Sequence, residues 1–241
     1  EGKGMSYDWQ CGNLEPGSNV PAECVVSRSK IVDLTAKMDA SGKLRWDPPA
    51  PGSSLLRQDA TAGQAGVASS PQEWTVVRFG HTVTGKEVHP APKTGTGPEC
   101  DKLSKEAIEA HYDAMIGKLA KEVGPLAGKT LVSTHVDSCE HGAQNWTPTM
   151  REEFKRLRGY DMMPFMPVMT GRIVDSVDIS ERFLRDVRQT VSDLFVENYI
   201  GHLRKLANRD GLRLSMESYR NPANDLDVAN QVDEPMCEFW S

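Results

Sequence analysis

The sequence predicts an α/β fold: part of a (β/α)8 barrel of the TIM type, preceded by a small β-rich region. Three short apolar segments alternate with amphipathic helices in the second half of the chain, a pattern typical of parallel βα units. Each of these strand candidates ends at or beside an acidic residue. Parallel sheets and barrels place their functional groups at the carboxyl ends of the strands, so both observations favour the same architecture.

Residues 1–73 are predicted to be a β-rich, largely irregular N-terminal region. Short strands are predicted at Cys24–Ser27 and Lys43–Trp46, and the Asp, Ser and Gly between them favour a hairpin turn. The segment 48–72 is rich in Pro, Gly, Ala and Ser, which predicts a mobile loop.

Residues 74–241 are predicted to form one incomplete barrel domain, truncated at its C-terminus. The β-branched and aromatic stretch Glu73–Gly80 predicts a strand. Ser104 is a candidate N-cap for a helix that ends at Gly124. The apolar residues of this helix recur at helical spacing and are predicted to face the core: Ile108, Tyr112, Met115, Leu119 and Val123.

The remaining predicted elements alternate in type along the chain. Thr147 followed by Pro148 is a favoured start for a helix, and Gly211 is a favoured stop. In order, the elements are a strand at Lys129–Val136, a helix from Thr147 to Gly159, a helix from Ser180 to Asp210, and strands at Leu212–Ser218 and Glu234–Trp240. The long helix would extend about 45 Å unless the region of Gly201 breaks it.

The composition limits the classes of protein and partner that need to be considered. The net charge of -6 argues against a nucleic-acid partner, and the chain has no apolar run of the roughly 18 residues that a membrane span needs. Five scattered cysteines argue against a dense disulfide framework, although a single Cys11 to Cys24 bridge remains open. Because the chain lacks an initial Met and ends directly after a strand candidate, we expect a fragment of a longer protein.

Acidic residues follow three of the strand candidates, and we expect them to lie at one edge of the sheet. They are Glu140 (with Asp137), Glu217 and Glu238, and the aromatic residues near them are Trp146, Tyr219 and Trp240. Paired carboxylates can protonate a glycosidic oxygen and activate water, while aromatic rings stack on sugars. An acid just after a strand is also common as a helix cap or ion-pair partner, so each one alone is a weak indication.

Two other chemistries are open to the segment around Glu140. His135, Asp137, Glu140 and His141 could bind a metal ion, but their spacing is unlike that of zinc motifs, and a hard cation such as calcium suits the oxygen ligands better. Cys139 could act as a nucleophile, but the sequence defines no arrangement that would activate its thiol.

Several consecutive blocks resemble glycoside hydrolase family 106, the α-L-rhamnosidases. The resemblance covers about residues 30–241, and its most specific block is "HVDSCEHGAQNWTPTMREEFKRLRGYD", supported by "GPECDKLSKEA" and "DEPMCEFW". It implies a (β/α)8 catalytic barrel flanked by β domains, inverting hydrolysis of terminal α-L-rhamnose, and an active-site calcium ion whose ligands are not assigned. It also implies a periplasmic or extracellular location and a rhamnose-containing carbohydrate as partner.

The same resemblance assigns roles to individual residues. Glu140 is expected to be the general acid, and the general base is expected beyond Ser241, with Glu217 and Glu238 as second choices. The residues expected to bind substrate are Asp137, Gln144, Asn145, Trp146, Glu217, Tyr219, Glu238 and Trp240.

This chain departs from the family pattern at positions that could alter substrate choice. Cys139 stands where the family usually has an aromatic residue, and Ser218 and Arg220 stand where it has Pro and Gly. A lyase or hydrolase acting on a rhamnose-containing uronic polymer therefore remains an alternative, as does an inactive carbohydrate-binding fragment.

Overall fold

The computed structural model describes residues 25–49, 74–88, 91–137, 144–219 and 222–237. These residues form two compact units. The larger unit contains the described residues within 81–158 and 186–241, and the smaller unit contains those within 10–80 and 159–185. Every helix in the described ranges is too short or too polar to cross a lipid bilayer.

The secondary structure is mixed, as the sequence predicts. The strands are β1 (Val25–Val26), β2 (Ser133–Val136), β3 (Ile173–Val174), β4 (Arg213–Glu217) and β5 (Glu234–Met236). The α-helices are α1 (Lys105–Ala114), α2 (Ile116–Val123), α3 (Met150–Arg158), α4 (Val177–Leu194), α5 (Gly201–Arg209) and α6 (Asp225–Ala229). A 3-10 helix spans Met163–Thr170, and a π-helical segment, Phe195–Ile200, joins α4 to α5.

The larger unit contains a three-stranded sheet in the order β2, β4, β5, and both pairings are parallel. This confirms the predicted parallel strands and their order along the chain. In the described ranges these strands form an open sheet and no closed barrel. Leu214 and Met216 of β4 are fully buried, and α5 packs on this strand with Leu203 and Leu206 in its own buried face.

A close approach between two glycines fixes the turn that precedes β2 against the turn that precedes β4. Gly128 has a φ of +76°, and a Cβ built on it would lie 2.9 Å from the carbonyl oxygen of Gly211. The amide of Gly128 donates a hydrogen bond to the carbonyl of Leu131 at 2.8 Å. Both the positive φ and the short contact therefore require glycine at this position.

We expect Gly128→Ala to lower the free energy of unfolding by about 1–3 kcal/mol, because alanine is strained in the left-handed conformation and also collides with backbone. Urea denaturation of the variant chain and the parent chain measures the difference. Gly159→Ala is the matched control: Gly159 also has a positive φ, of +83°, but its Cβ would meet no atom within 4 Å. Equal losses in the two variants would show that the contact with Gly211 contributes nothing.

The helix predicted from Ser104 to Val123 is divided into α1 and α2 at Met115, whose φ of -125° and ψ of -70° are not helical. The predicted cap is present, because the Ser104 hydroxyl accepts a hydrogen bond from the amide of Ala107 at 3.3 Å. The prediction that Met115 and Leu119 face the core is wrong, since these side chains are 63% and 39% exposed. The break rotates α2, so that its buried residues are Gly117 and Ala120 instead.

The long helix is present but begins earlier than predicted. Ser176 rather than Ser180 accepts a hydrogen bond from a first-turn amide, that of Ile179, at 3.2 Å. The buried Ser180 hydroxyl instead bonds to the backbone of Val174 in β3. Gly201 does not interrupt the helix, which passes through the π-helical segment before Gly201 and ends at Arg209, two residues before the predicted stop at Gly211.

In the smaller unit, β1 pairs with β3 in parallel, which confirms the strand predicted around Val25. The predicted hairpin is reduced to a turn and one antiparallel bridge between Met38 and Leu44. The strand predicted at Glu73–Gly80 is wrong for its described residues, 74–80, which form no ladder. Val76 is 56% exposed, so this stretch lacks the half-buried pleated surface on which β-propensity depends.

Candidate functional site

One face of the three-stranded sheet is polar. Leu214 and Met216, both fully buried, define the opposite face, and side chains alternate between faces along each strand. Register and alternation place the following residues on the polar face, from the amino to the carboxyl edge: Ser133, Arg213, His135, Ser215, Glu234, Glu217 and Met236. Glu217 ends β4 at the carboxyl edge of this face, and Asp137 is the residue that directly follows β2 at the same edge.

Glu217 is the last residue of β4 and is half-buried. The hydroxyl of Tyr219 donates a hydrogen bond to Glu217 Oε2 at 2.8 Å, which limits the rotation of the carboxylate. The amide of Ser218 donates to the carbonyl of Met236 at 3.3 Å, so β4 and β5 stay paired as far as this edge. The predicted substrate residues Glu217 and Tyr219 are therefore direct partners, and the carboxylate keeps one oxygen for further contacts.

The polar face also contains charged and polar pairs nearer its amino edge. Nδ1 of His135 lies 2.9 Å from the hydroxyl of Ser215, on the neighbouring strand. Arg213 of β4 forms an ion pair with Glu234 of β5. These contacts connect the three strands across the face through side chains as well as through the backbone.

Trp146 and Gln144 are held by protein contacts that the sequence does not predict. The imidazole of His81 stacks on the Trp146 indole, with ring centroids 6.4 Å apart and planes 27° apart. The Gln144 side chain bonds to Asp101, to the amide of Lys102 and to the carbonyl of Trp146. Asn145 is half-buried between these two residues. The sequence signals for Asp101 and His81 were only their places in the blocks "GPECDKLSKEA" and "RFGHTVTGKEVHPAP", which resemble the family but do not indicate these contacts.

The sequence of residues 13–241 matches the family model described as alpha-L-rhamnosidase. The chain belongs to glycoside hydrolase family 106, the alpha-L-rhamnosidases. The predicted resemblance is thereby confirmed over nearly the whole chain.

Two relatives of this family member differ in their names. A solved rhamnosidase structure from Novosphingobium sp. PP1Y is 29% identical and superposes on 84% of this chain with a TM-score of 0.63. A Formosa agariphila protein named "Putative beta-glucuronidase" is 37% identical over 222 residues, 92% of this chain. The chain spans only 18% of the Novosphingobium rhamnosidase and 17% of the Formosa protein.

The calcium ion implied by the family resemblance would need several oxygen ligands. Asp137 and Glu217 provide carboxylate oxygens of the kind that calcium prefers. The described ranges, however, contain no group of three or more His, Cys, Asp or Glu side chains that could hold a metal ion. These residues alone therefore do not make up a calcium site, and no catalytic step is assigned to one.

Several residues for which the sequence predicts a role lie outside the described ranges. They are Cys11, Cys24, Cys139, Glu140, His141, Arg220, Glu238 and Trp240, together with most of the predicted mobile loop at 48–72. The roles predicted for Glu140, Glu238 and Trp240 therefore remain predictions from the sequence.

Proposed function

We propose that the complete protein is a glycoside hydrolase that removes terminal α-L-rhamnosyl residues from poly- or oligosaccharides with inversion. The observation that supports this most strongly is the family match over residues 13–241. The polar sheet face, with Glu217 at the end of β4 and Asp137 directly after β2, is consistent with such a site. Parallel βα architectures position catalytic groups at this edge.

In this proposal Glu140 is the general acid, which transfers a proton to the glycosidic oxygen as the bond to the anomeric carbon breaks. A carboxylate removes a proton from water as that water attacks the opposite face of the sugar. Inverting enzymes keep the two carboxyl groups about 6.5–9.5 Å apart to leave room for the water. The base is expected beyond Ser241, and Glu217 and Glu238 are the second choices within this chain.

Glu217 would act differently if the base lies elsewhere. Its carboxylate already accepts a hydrogen bond from the Tyr219 hydroxyl, and its other oxygen can accept one from a sugar hydroxyl. A carboxylate held in this way orients a sugar ring without taking part in proton transfer. Gln144 is less able to donate hydrogen bonds to a sugar, because both of its amide hydrogens are already donated within the protein.

A second candidate function follows from the name of the Formosa relative. At 37% identity, that protein favours a uronic sugar as a rival substrate, released either by hydrolysis or by elimination. Ser218 and Arg220, which replace the usual Pro and Gly after Glu217, are the positions where this chain could differ in sugar choice.

The expected result is release of rhamnose, and not of glucuronic acid, from a matched pair of nitrophenyl glycosides by the complete protein. Proton NMR during the first minutes should show the β-anomer of rhamnose, which identifies inversion. Release of glucuronic acid instead would support the second candidate. An unsaturated product absorbing in the ultraviolet, formed from a rhamnose-containing uronic polymer, would identify a lyase. Calcium binding and a periplasmic or extracellular location are further parts of the proposal, which equilibrium dialysis and cell fractionation would test.

A further inference from the structure

The backbone segment that follows the Glu140 block is tied to a loop more than forty residues earlier in the chain. Gln144 and Thr147 are the two residues of this segment whose side chains bond to Asp101. The Gln144 amide group donates to Asp101 Oδ1, and the Thr147 hydroxyl donates to Oδ2 at 2.8 Å. The amide of Leu103 also donates to Oδ1, at 2.9 Å. Asp101 thus accepts three hydrogen bonds, which use both of its carboxylate oxygens.

The contact between the two segments is reciprocal. The amide of Lys102 donates to Gln144 Oε1 at 2.9 Å, and Gln144 Nε2 donates to the carbonyl of Trp146 at 3.0 Å. Thr147 is 1% exposed, while Asp101 and Gln144 are half-buried, so little water competes for these groups. Hydrogen bonds to a carboxylate in such surroundings are roughly twice as strong as those between neutral groups.

The loop that contains Asp101 is itself fixed to the long helix. Asn198, in the π-helical segment Phe195–Ile200, donates a hydrogen bond from Nδ2 to the carbonyl of Leu103 at 2.8 Å. Asn198 and Leu103 are 6% and 1% exposed. The restraint on Gln144 and Thr147 therefore extends through Asp101 and Leu103 to a buried helix, and does not end at a free loop.

We infer that Asp101 is a positioning residue, which holds the segment Gln144–Thr147 and with it the Trp146 side chain. The inference rests on the proposed function for its effect on activity. Trp146 is placed between two restrained residues, and its indole stacks on His81. Only three residues, 141–143, separate Gln144 from Glu140, so the fixed point also limits the distance over which the general acid can move.

A reciprocal exchange of the two side chains tests this role in the complete protein. Asp101→Asn leaves the Gln144 and Thr147 donors to compete for one oxygen, and Gln144→Glu places two carboxylates against each other. In the double variant, the new amide at position 101 can again donate to a carboxylate at position 144. The matched control is Asp113→Asn on the exposed side of α1, where the carboxylate pairs with Arg209.

We expect each single variant to lower kcat by about 10–100-fold with a smaller change in KM, since misplacement of the general acid by about 1 Å has effects of this size. The double variant should recover part of this loss, because the new amide at position 101 again donates to position 144, while the bond to the Trp146 carbonyl is not restored. The control should keep the activity of the parent. Unchanged kcat in the single variants would overturn the positioning role of Asp101. So would a double variant whose kcat is no higher than that of the single variants.

Hydrogen exchange of the backbone amides in 144–147 is the second readout, and it does not depend on activity. The exchange rate should rise in the single variants and return towards that of the parent in the double variant. If the parent protein releases no rhamnose, the proposed function fails, while the exchange result still decides whether Asp101 restrains the segment. If Gln144→Glu does not fold, Thr147→Val removes one donor at similar volume, and unchanged exchange there overturns the restraint.

Discussion

Replacing Glu140 with glutamine should lower rhamnose release from an oligosaccharide by about 100-fold to 10000-fold, the range typical for loss of a general acid. Glutamine keeps the size of the side chain and its carbonyl oxygen but cannot donate the proton that the leaving oxygen needs. The measurement is kcat for the complete protein on a natural rhamnoside. Glu122→Gln, on the exposed face of α2, is the control and should keep full activity.

The leaving group separates an acid from a residue that merely binds sugar. A nitrophenolate leaves without protonation, so Glu140→Gln should lose much less activity on a nitrophenyl rhamnoside than on the oligosaccharide. An equal loss on both substrates would assign Glu140 to binding or to water activation. Full activity on both would remove this residue from the mechanism and direct attention to Glu217 and Glu238.

The parallel sheet could be predicted because its signals are local. β2 and β4 fall in short apolar runs of the sequence, and the helix before β4 has a clear apolar stripe; both patterns depend only on nearby residues. The stretch at 74–80 had a similar composition but forms no ladder, because strand formation also requires a partner that composition does not reveal. The start of α4 was misplaced for a related reason, since Ser180 bonds to β3 rather than to its own helix.

The carboxyl-edge acids could be predicted in part, because the rule for parallel strands converts a sequence position into a place on the sheet. Asp137 and Glu217 do fall at this edge. The contacts of Asp101 could not be predicted, since its partners Gln144 and Thr147 are 43 and 46 residues away. The Asn198 bond to Leu103 spans 95 residues and depends on the π-helical segment, whose extra residue per turn has no clear sequence signature.

Replacing Asp233 with alanine should lower the free energy of unfolding by about 3 kcal/mol, because several buried or partly buried donors lose their acceptor at once. Asp233 precedes β5, and its Oδ2 accepts hydrogen bonds from the amide of Leu214 at 2.9 Å and from Asn208 at 3.0 Å. Its Oδ1 accepts from Arg204 at 2.8 Å. The side chain therefore joins the start of β5 to β4 and to α5. Urea denaturation measures the loss, and a change below about 0.5 kcal/mol, the size of an ordinary surface substitution, would contradict it.

The same contacts make the contribution of Asp233 dependent on pH. Burial alone would raise the pKa of this carboxyl, but hydrogen bonds from Leu214, Asn208 and Arg204 outweigh burial and hold the pKa below its usual range. A lowered folded pKa means that the stabilisation is fully present above the unfolded value, about 3.9, and is lost as the pH falls through the folded pKa. Asp233→Asn should therefore lower the free energy of unfolding at pH 7 and lower it less at pH 3.

Since β5 leads directly to Glu238, loosening of this strand at acid pH should also lower activity before the chain as a whole unfolds. An equal effect of Asp233→Asn at both pH values would show that the charge of Asp233 is not what holds β5 in place.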